Sequence, residues 1–223
     1  GRRFVDDQFV HEAAAQRQLD IFGELIDSIH ISAQAGIERS KQEQELLEGI
    51  VRHVEATWRL PDKGLWESRG EPHHFVYSKV SAWVAVDRYV RHQEAQGSRE
   101  DIDLRPMRRL RSEMHDEICH EGYVAGLGHF VDYYGDDSLD ASLLLLPLLG
   151  FLPVDDERIS QTIDAIERDL VVDGLVHRKK PKQDSPEGAF LACTFWLADC
   201  QWMQRRHEAA RGSFERALAV AND

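Results

Sequence analysis

The stretch Tyr77-Ser78-Lys79-Val80-Ser81-Ala82-Trp83-Val84-Ala85-Val86-Asp87-Arg88-Tyr89-Val90-Arg91 decides the fold. Val80, Ala82, Trp83, Val84, Ala85, Val86, Tyr89 and Val90 put apolar groups on almost every side of a helix, a pattern expected where a helix is buried all round. The segment before it, from about Gln42 to Trp58, reads differently. Leu46, Leu47, Ile50, Val51, Val54 and Trp58 fall on one stripe with acids and arginines opposite, as on an outer helix.

The same alternation runs outward in both directions. Leu19, Phe22, Leu25, Ile26 and Ile29 predict a helix from about Ala13 to Ala33, ended by Gly36. Downstream, Met107, Leu110, Met114 and Ile118 give a one-faced helix from about Leu104 to Glu121, with Pro106 tolerated in its first turn. Leu139 to Leu149 is apolar throughout and predicts an inner helix. Asp155-Asp156-Glu157 starts a one-faced helix carrying Ile159, Ile163, Ile166 and Leu170, closed by Gly174. Phe190 to about Met203 is apolar all round, and a final one-faced helix carries Ala210, Phe214, Ala217 and Leu218. No strand pattern competes. Alternation of half-buried and fully buried helices predicts an all-α, two-layered ring of antiparallel hairpins. In such a ring the long connections 59–76, 122–138 and 171–187 emerge at one rim, where binding and catalytic groups usually sit.

Composition bounds the function. A chain of 223 residues with 42% hydrophobic content can bury a substantial core, as one large domain or two small ones. The net charge of −13 argues against a nucleic-acid or anionic-membrane partner, because both are themselves negative. The longest apolar run, Ala141 to Leu152, is too short to span a bilayer, and the N-terminus lacks the layout of a signal peptide. Cys119, Cys193 and Cys200 show no CxxC spacing, so a reducing, cytoplasmic setting is the expectation.

Chemistry concentrates in one loop. Leu60-Pro61-Asp62-Lys63-Gly64-Leu65-Trp66-Glu67-Ser68-Arg69-Gly70, running through His73-His74-Phe75 to Tyr77-Ser78-Lys79, gathers more functional groups than a connector requires. Taken alone, Glu67 reads as a solvated loop glutamate. Trp66 reads either as core or as a platform for the apolar face of a sugar. Arg69 and Lys79 read either as donors to sugar hydroxyls or as solvated or ion-paired side chains. Adjacent histidines, His73 and His74, do not make a preformed metal site, and neither metal nor cofactor is expected. Asp140 reads as a helix cap, and Trp83 and Trp196 as packing.

Several separated motifs carry a resemblance in common order. Pro61-Asp62-Lys63-Gly64-Leu65-Trp66-Glu67-Ser68-Arg69-Gly70 with His74-Phe75-Val76-Tyr77-Ser78-Lys79, Leu139-Asp140-Ala141-Ser142 leading into Leu148-Leu149-Gly150-Phe151-Leu152-Pro153, Asp173-Gly174-Leu175-Val176, and Glu187-Gly188-Ala189-Phe190-Leu191 resemble glycoside hydrolase family 15, the glucoamylase family, in its bacterial branch that includes trehalases. The resemblance implies an (α/α)6 barrel, of which residues 1–223 hold about eight of twelve helices as part of a single catalytic domain. It implies inverting hydrolysis of an α-glucosidic bond in trehalose or a small α-glucan oligosaccharide.

Inversion uses two carboxylates, one protonating the departing oxygen and one activating water on the opposite face of the sugar. The resemblance makes Glu67 the acid and puts the base beyond Asp223. It implies substrate contacts by Trp66, Arg69, His74, Lys79, Arg178 and Glu187. The implied partner is a small carbohydrate, with no cofactor. A ring missing helices would leave inner apolar faces to be closed by further sequence or by a partner chain, which is compatible with a homo-oligomer. The competing class is a non-catalytic carbohydrate-binding or scaffold remnant. A helical-repeat interaction protein would need self-similarity at a fixed period, and the sequence shows alternation without a repeated motif.

Overall fold

The computed structural model describes residues 19–37, 40–95, 103–181 and 188–221, and the chain divides into two units, Gly1–Cys119 and His120–Asp223. Among the described residues it is mostly helical. In the first unit lie α1 (Asp20–Gln34), α2 (Lys41–Thr57), α3 (Val76–Ala95) and most of α4 (Arg105–Gly122). The part of the first expected helix before Leu19 lies outside the described residues.

Each helix has a local reason to form where it does. Ser40 opens α2 with a capping box, its hydroxyl accepting from Glu43 N at 3.2 Å while Ser40 N donates to Glu43 Oε2 at 2.6 Å. The stripe Leu47, Ile50, Val51, Val54 and Trp58 is buried, as the one-faced pattern predicts. The all-round apolar reading of α3 holds: every residue from Val76 to Asp87 is buried. α4 buries Leu110, Met114 and Ile118, and its Arg111 carbonyl accepts from Trp83 Nε1 at 3.1 Å.

α1 and α3 pass close to one another at Gly23. A Cβ on Gly23 would stand 2.1 Å from the Ser81 carbonyl oxygen, so only glycine permits the two backbones to pass at this distance. Ser81 Oγ donates to the Asp20 carbonyl at 2.7 Å across the same crossing. Further along α3, the buried Asp87 carboxylate is met by Arg88 Nη1 at 2.8 Å, Arg91 Nε at 2.7 Å and Arg111 Nη1 at 3.3 Å. Arg88 Nε also reaches Asp27 Oδ1 on α1 at 2.7 Å, tying the helices through charge that is paired rather than stranded.

The second unit departs from the all-helical reading in two places. Tyr123–Val124 (β1) pairs antiparallel with His129–Phe130 (β2), and Val171–Val172 (β3) with Leu175–Val176 (β4). Gly174 therefore does not close the preceding helix. That helix, α6 (Glu157–Asp169), ends at Leu170, and Asp173 (φ 52) with Gly174 (φ 78) makes the β3–β4 turn. Positive φ at both central residues is the primed hairpin turn, whose twist matches that of the strands.

The expected inner helix from Leu139 to Leu149 is likewise shorter. It is one 3-10 turn, Ala141–Leu144, followed by one α-turn, α5 (Leu145–Leu148). Pro147 has no N–H to extend an α-helical ladder backward. The helices α7 (Leu191–Met203) and α8 (His207–Ala221) complete the unit. α7 buries Cys193, Thr194, Leu197, Ala198, Cys200 and Gln201 but leaves Trp202 and Met203 exposed, so it is less enclosed than its composition predicts. All three cysteines are free, and burial pushes the thiols of Cys193 and Cys200 up to about 12. Among the described residues no helix is long and apolar enough to cross a membrane.

The helix crossing gives a paired prediction. Gly23→Ala forces a methyl into the Ser81 backbone and should lose roughly 1–3 kcal/mol in a urea titration. Gly49→Ala, in α2 with nothing within 4 Å of the new Cβ, should gain roughly 0.5–1 kcal/mol from helix propensity. Equal effects of the two substitutions would contradict the close-crossing account.

Candidate active site

The loop between α2 and α3 is closed at its neck. Asp62 N donates to the His73 carbonyl at 2.9 Å and His73 N donates back to Asp62 O at 3.0 Å. Inside the neck, Glu67 N donates to Gly64 O at 3.1 Å, Ser68 N to Lys63 O at 2.9 Å, and Lys63 Nζ to Gly70 O at 2.5 Å. Gly64 turns at φ 69 under the Phe75 ring, where a Cβ would come within 2.9 Å of the ring carbons.

Glu67 occupies the left-handed region, with φ 48. A non-glycine residue held there costs of order 1–3 kcal/mol, and such strain persists only where the surroundings fix it. The closed hydrogen-bond set of the loop is that fixing. Glu67 is exposed, Trp66 beside it is half-buried, Arg69 is exposed and His74 is half-buried. Burial, with Lys79 and His73 nearby, holds the His74 imidazole below its usual pKa and so favours the neutral ring.

Lys79 requires a correction. Its side chain has no exposed surface, and its Nζ donates to the carbonyl oxygens of Trp58 and, at 2.7 Å, Leu60. An ammonium so enclosed is not presented to a sugar hydroxyl. Burial draws the Lys79 ammonium down to about 8 against the opposing pull of Asp62 and Glu117. Asp62 is equally enclosed, and burial pushes its carboxyl up, opposed by Ser78, the Leu19 N–H and Lys79. The Leu19 N–H points to Asp62 Oδ2 at 3.4 Å. Asp20, also buried, is raised to about 6 by burial, with Asp62 and Glu24 adding to it. Asp62 carried no separate signal in the sequence, because an aspartate after a proline in a polar loop reads as turn chemistry.

In the second unit the structure brings two further loops together. Ala141 N donates to the Arg178 carbonyl at 2.8 Å, and Lys179 Nζ lies 2.6 Å from Asp132 Oδ2 and 3.9 Å from Asp140 Oδ2. Asp140 is fully buried and its Oδ1 accepts from Ser142 N at 2.8 Å, the cap role read from the sequence. Arg178 is half-buried beside this cluster. Glu187 lies outside the described residues. Burial and the neighbouring Asp140 raise the Asp132 carboxyl to about 6 despite Lys179. Burial opposes charge on Lys179, yet Asp132 and Asp140 hold its ammonium above the usual value. Asp132 and Lys179 were missed because their loops are far apart in sequence. Among the described residues no group of three or more His, Cys, Asp or Glu is arranged to hold a metal ion.

Solved structures share this fold. A wild-type glycosidase superposes with a TM-score of 0.74 at 21% identity, covering 88% of this chain and 51% of that one. The glucoamylase of Saccharomycopsis fibuligera superposes with a TM-score of 0.59 at 14% identity, covering 74% and 40%. The mostly helical chain with glucoamylase-like neighbours is consistent with the (α/α)6 class of fold.

The family follows from sequence. Residues 3–222 match the family model for glycosyl hydrolases family 15, and the chain belongs to that family. The trehalase of Mycobacterium tuberculosis is 41% identical over 215 residues, 93% of this chain and 31% of that protein. The trehalase of Thermoplasma volcanium is 34% identical over 215 residues, 95% of this chain and 34% of that protein. The chain thus spans about a third of the length of these curated relatives.

The Asp132 shift carries a stability prediction with a definite sign. A carboxyl raised from 3.8 to about 6 keeps its proton in the folded state where the unfolded chain has released it. Its contribution is therefore most favourable below about pH 4 and is lost as pH rises through about 6. Asp132→Asn removes that dependence, so the stability of the variant relative to the parent should improve by up to about 3 kcal/mol between pH 4 and pH 7. Melting temperatures of both proteins across that range check it, and a constant difference would exclude the raised carboxyl.

Proposed function

We propose that this chain is part of a single (α/α)6 catalytic domain that hydrolyses a terminal α-glucosidic bond with inversion, and that its substrate is trehalose. The observation that carries the reading is Glu67, presented at the surface of a hydrogen-bonded loop in a strained backbone conformation. Family membership and relatives named trehalase support a glycoside hydrolase reading with a trehalose-like substrate.

Glu67 is the general acid. Its protonated carboxyl delivers a proton to the glycosidic oxygen as the bond from that oxygen to C1 breaks, releasing one glucose as an alcohol. Water adds to C1 from the opposite face and loses its proton to a second carboxylate. No residue named here is assigned that basic role. Because attack inverts C1, trehalose yields one α-glucose and one β-glucose. Trp66 offers an indole face to the sugar ring, Arg69 a fixed fork of donors to its hydroxyls, and neutral His74 one donor and one acceptor. Lys79 supports the loop from behind and touches no sugar.

Two measurements on the full-length protein test this. Glu67→Gln should lower the turnover of trehalose by about 10²–10⁴-fold while sugar binding persists, and turnover near the parent rate would remove Glu67 from the acid role. Proton NMR of fresh product should show α- and β-glucose in equal amounts before mutarotation. Release of α-glucose alone would mean retention and would exclude inversion.

A further inference from the structure

We propose that Asp62 and Lys79 are positioning residues for the Glu67 carboxyl, fixing both ends of its loop from inside the protein. The inference rests on Glu67 being the proton donor.

Two ionisable side chains are wholly buried beneath the loop, and each governs a different end of it. Lys79 Nζ holds the carbonyl oxygens of Trp58 and Leu60, the point where α2 stops and the chain enters the loop. Those carbonyls lie at a helix C-terminus, where the backbone has no further N–H to offer and carries partial negative charge. The ammonium comes from α3, the element the loop leads into, so entry and exit share one anchor. Asp62 makes the neck itself, through its paired backbone bonds to His73. Its carboxyl turns inward, where burial raises its pKa against Ser78, the Leu19 N–H of the α1 entrance at 3.4 Å, and Lys79.

Packing alone does not call for these charges. Burying an ammonium and a carboxyl carries a desolvation cost, and apolar groups of similar volume would fill the space at less expense. What the charges supply is geometry. Residues 63–72 have little slack between the fixed points, and the turn bearing Glu67 is bonded back to Lys63 and Gly64. Gly64 in turn lies against Phe75, just past the neck and immediately before α3. A displacement at Asp62 or at the Leu60 carbonyl is thereby passed to the proton donor. Misplacement of a reacting group by about 1 Å can cost about 10²-fold in rate.

The test separates positioning from general structural damage by the leaving group. Fluoride departs from α-glucosyl fluoride with little need of a proton, whereas glucose departs from trehalose only with acid assistance. In the full-length enzyme, Asp62→Asn and Lys79→Met should each lower kcat for trehalose about 10²-fold with KM little changed, while hydrolysis of α-glucosyl fluoride stays close to the parent rate. Glu67→Gln should show the same split in stronger form. A parallel fall on both substrates, or no fall on either, in the Asp62 and Lys79 variants would overturn the positioning role even with the split present in Glu67→Gln. Full trehalose turnover in Glu67→Gln would instead overturn the proton-donor reading. Where loss of a buried charge prevents folding, Phe75→Leu keeps both charges but loosens the Gly64 contact and should give the same split, and an unchanged ratio there would also count against the proposal.

Discussion

A helix buried on every side has to accommodate its polar side chains inside the protein, and α3 turns three of them into ties. Lys79 reaches back to the end of α2, Ser81 to the start of α1, and Asp87 gathers arginines from α3 itself and from α4. Ser78, equally buried, faces the carboxylate of Asp62. The apolar residues of the helix provide the burial, which is non-directional. Its few polar residues provide the directions. In the first unit these ties, together with the glycine crossing at Gly23, set where the neighbouring elements lie against α3.

This division explains what could be read from the chain and what could not. Apolar periodicity registers burial, so the one-faced stripe of α2 and the all-round pattern of α3 were legible, and their boundaries fall within a few residues of expectation. The motif around Trp66-Glu67 was legible as chemistry. Lys79 by its residue type fitted either a sugar donor or a solvated or ion-paired side chain, and the resemblance made it a substrate contact. Only the fold shows that its stem enters the core and that its charge meets two carbonyls. The same blindness hid Asp132 and Lys179, whose pairing joins loops that no local pattern connects.

The short hairpins were hidden for a different reason. Strands of two residues have no room for alternation, and the only signal of β3–β4 is the pair Asp173-Gly174 between apolar dipeptides. That pair reads as a helix stop when a helical pattern precedes it, since glycine serves both purposes. Pro147 offered a similar clue within the run from Leu139 to Leu149. Continuous hydrophobicity does not show where an α-helix can begin, whereas Pro147, with no N–H to donate back to the Leu143 carbonyl, belongs in a first turn.

The backbone position of Glu67 follows from these constraints. A glutamate buried on the loop would be held by its surroundings but could not meet a substrate. One on an unrestrained loop could meet a substrate but would lose orientational freedom at each encounter. The structure avoids both difficulties by fixing the backbone. Bonds at Gly64, Lys63 and Gly70 close the turn, the Asp62–His73 bridge closes the neck, and Glu67 is held at φ 48. The conformational cost is met within the fold, before any ligand arrives, so the carboxyl can be accessible without being loosely placed.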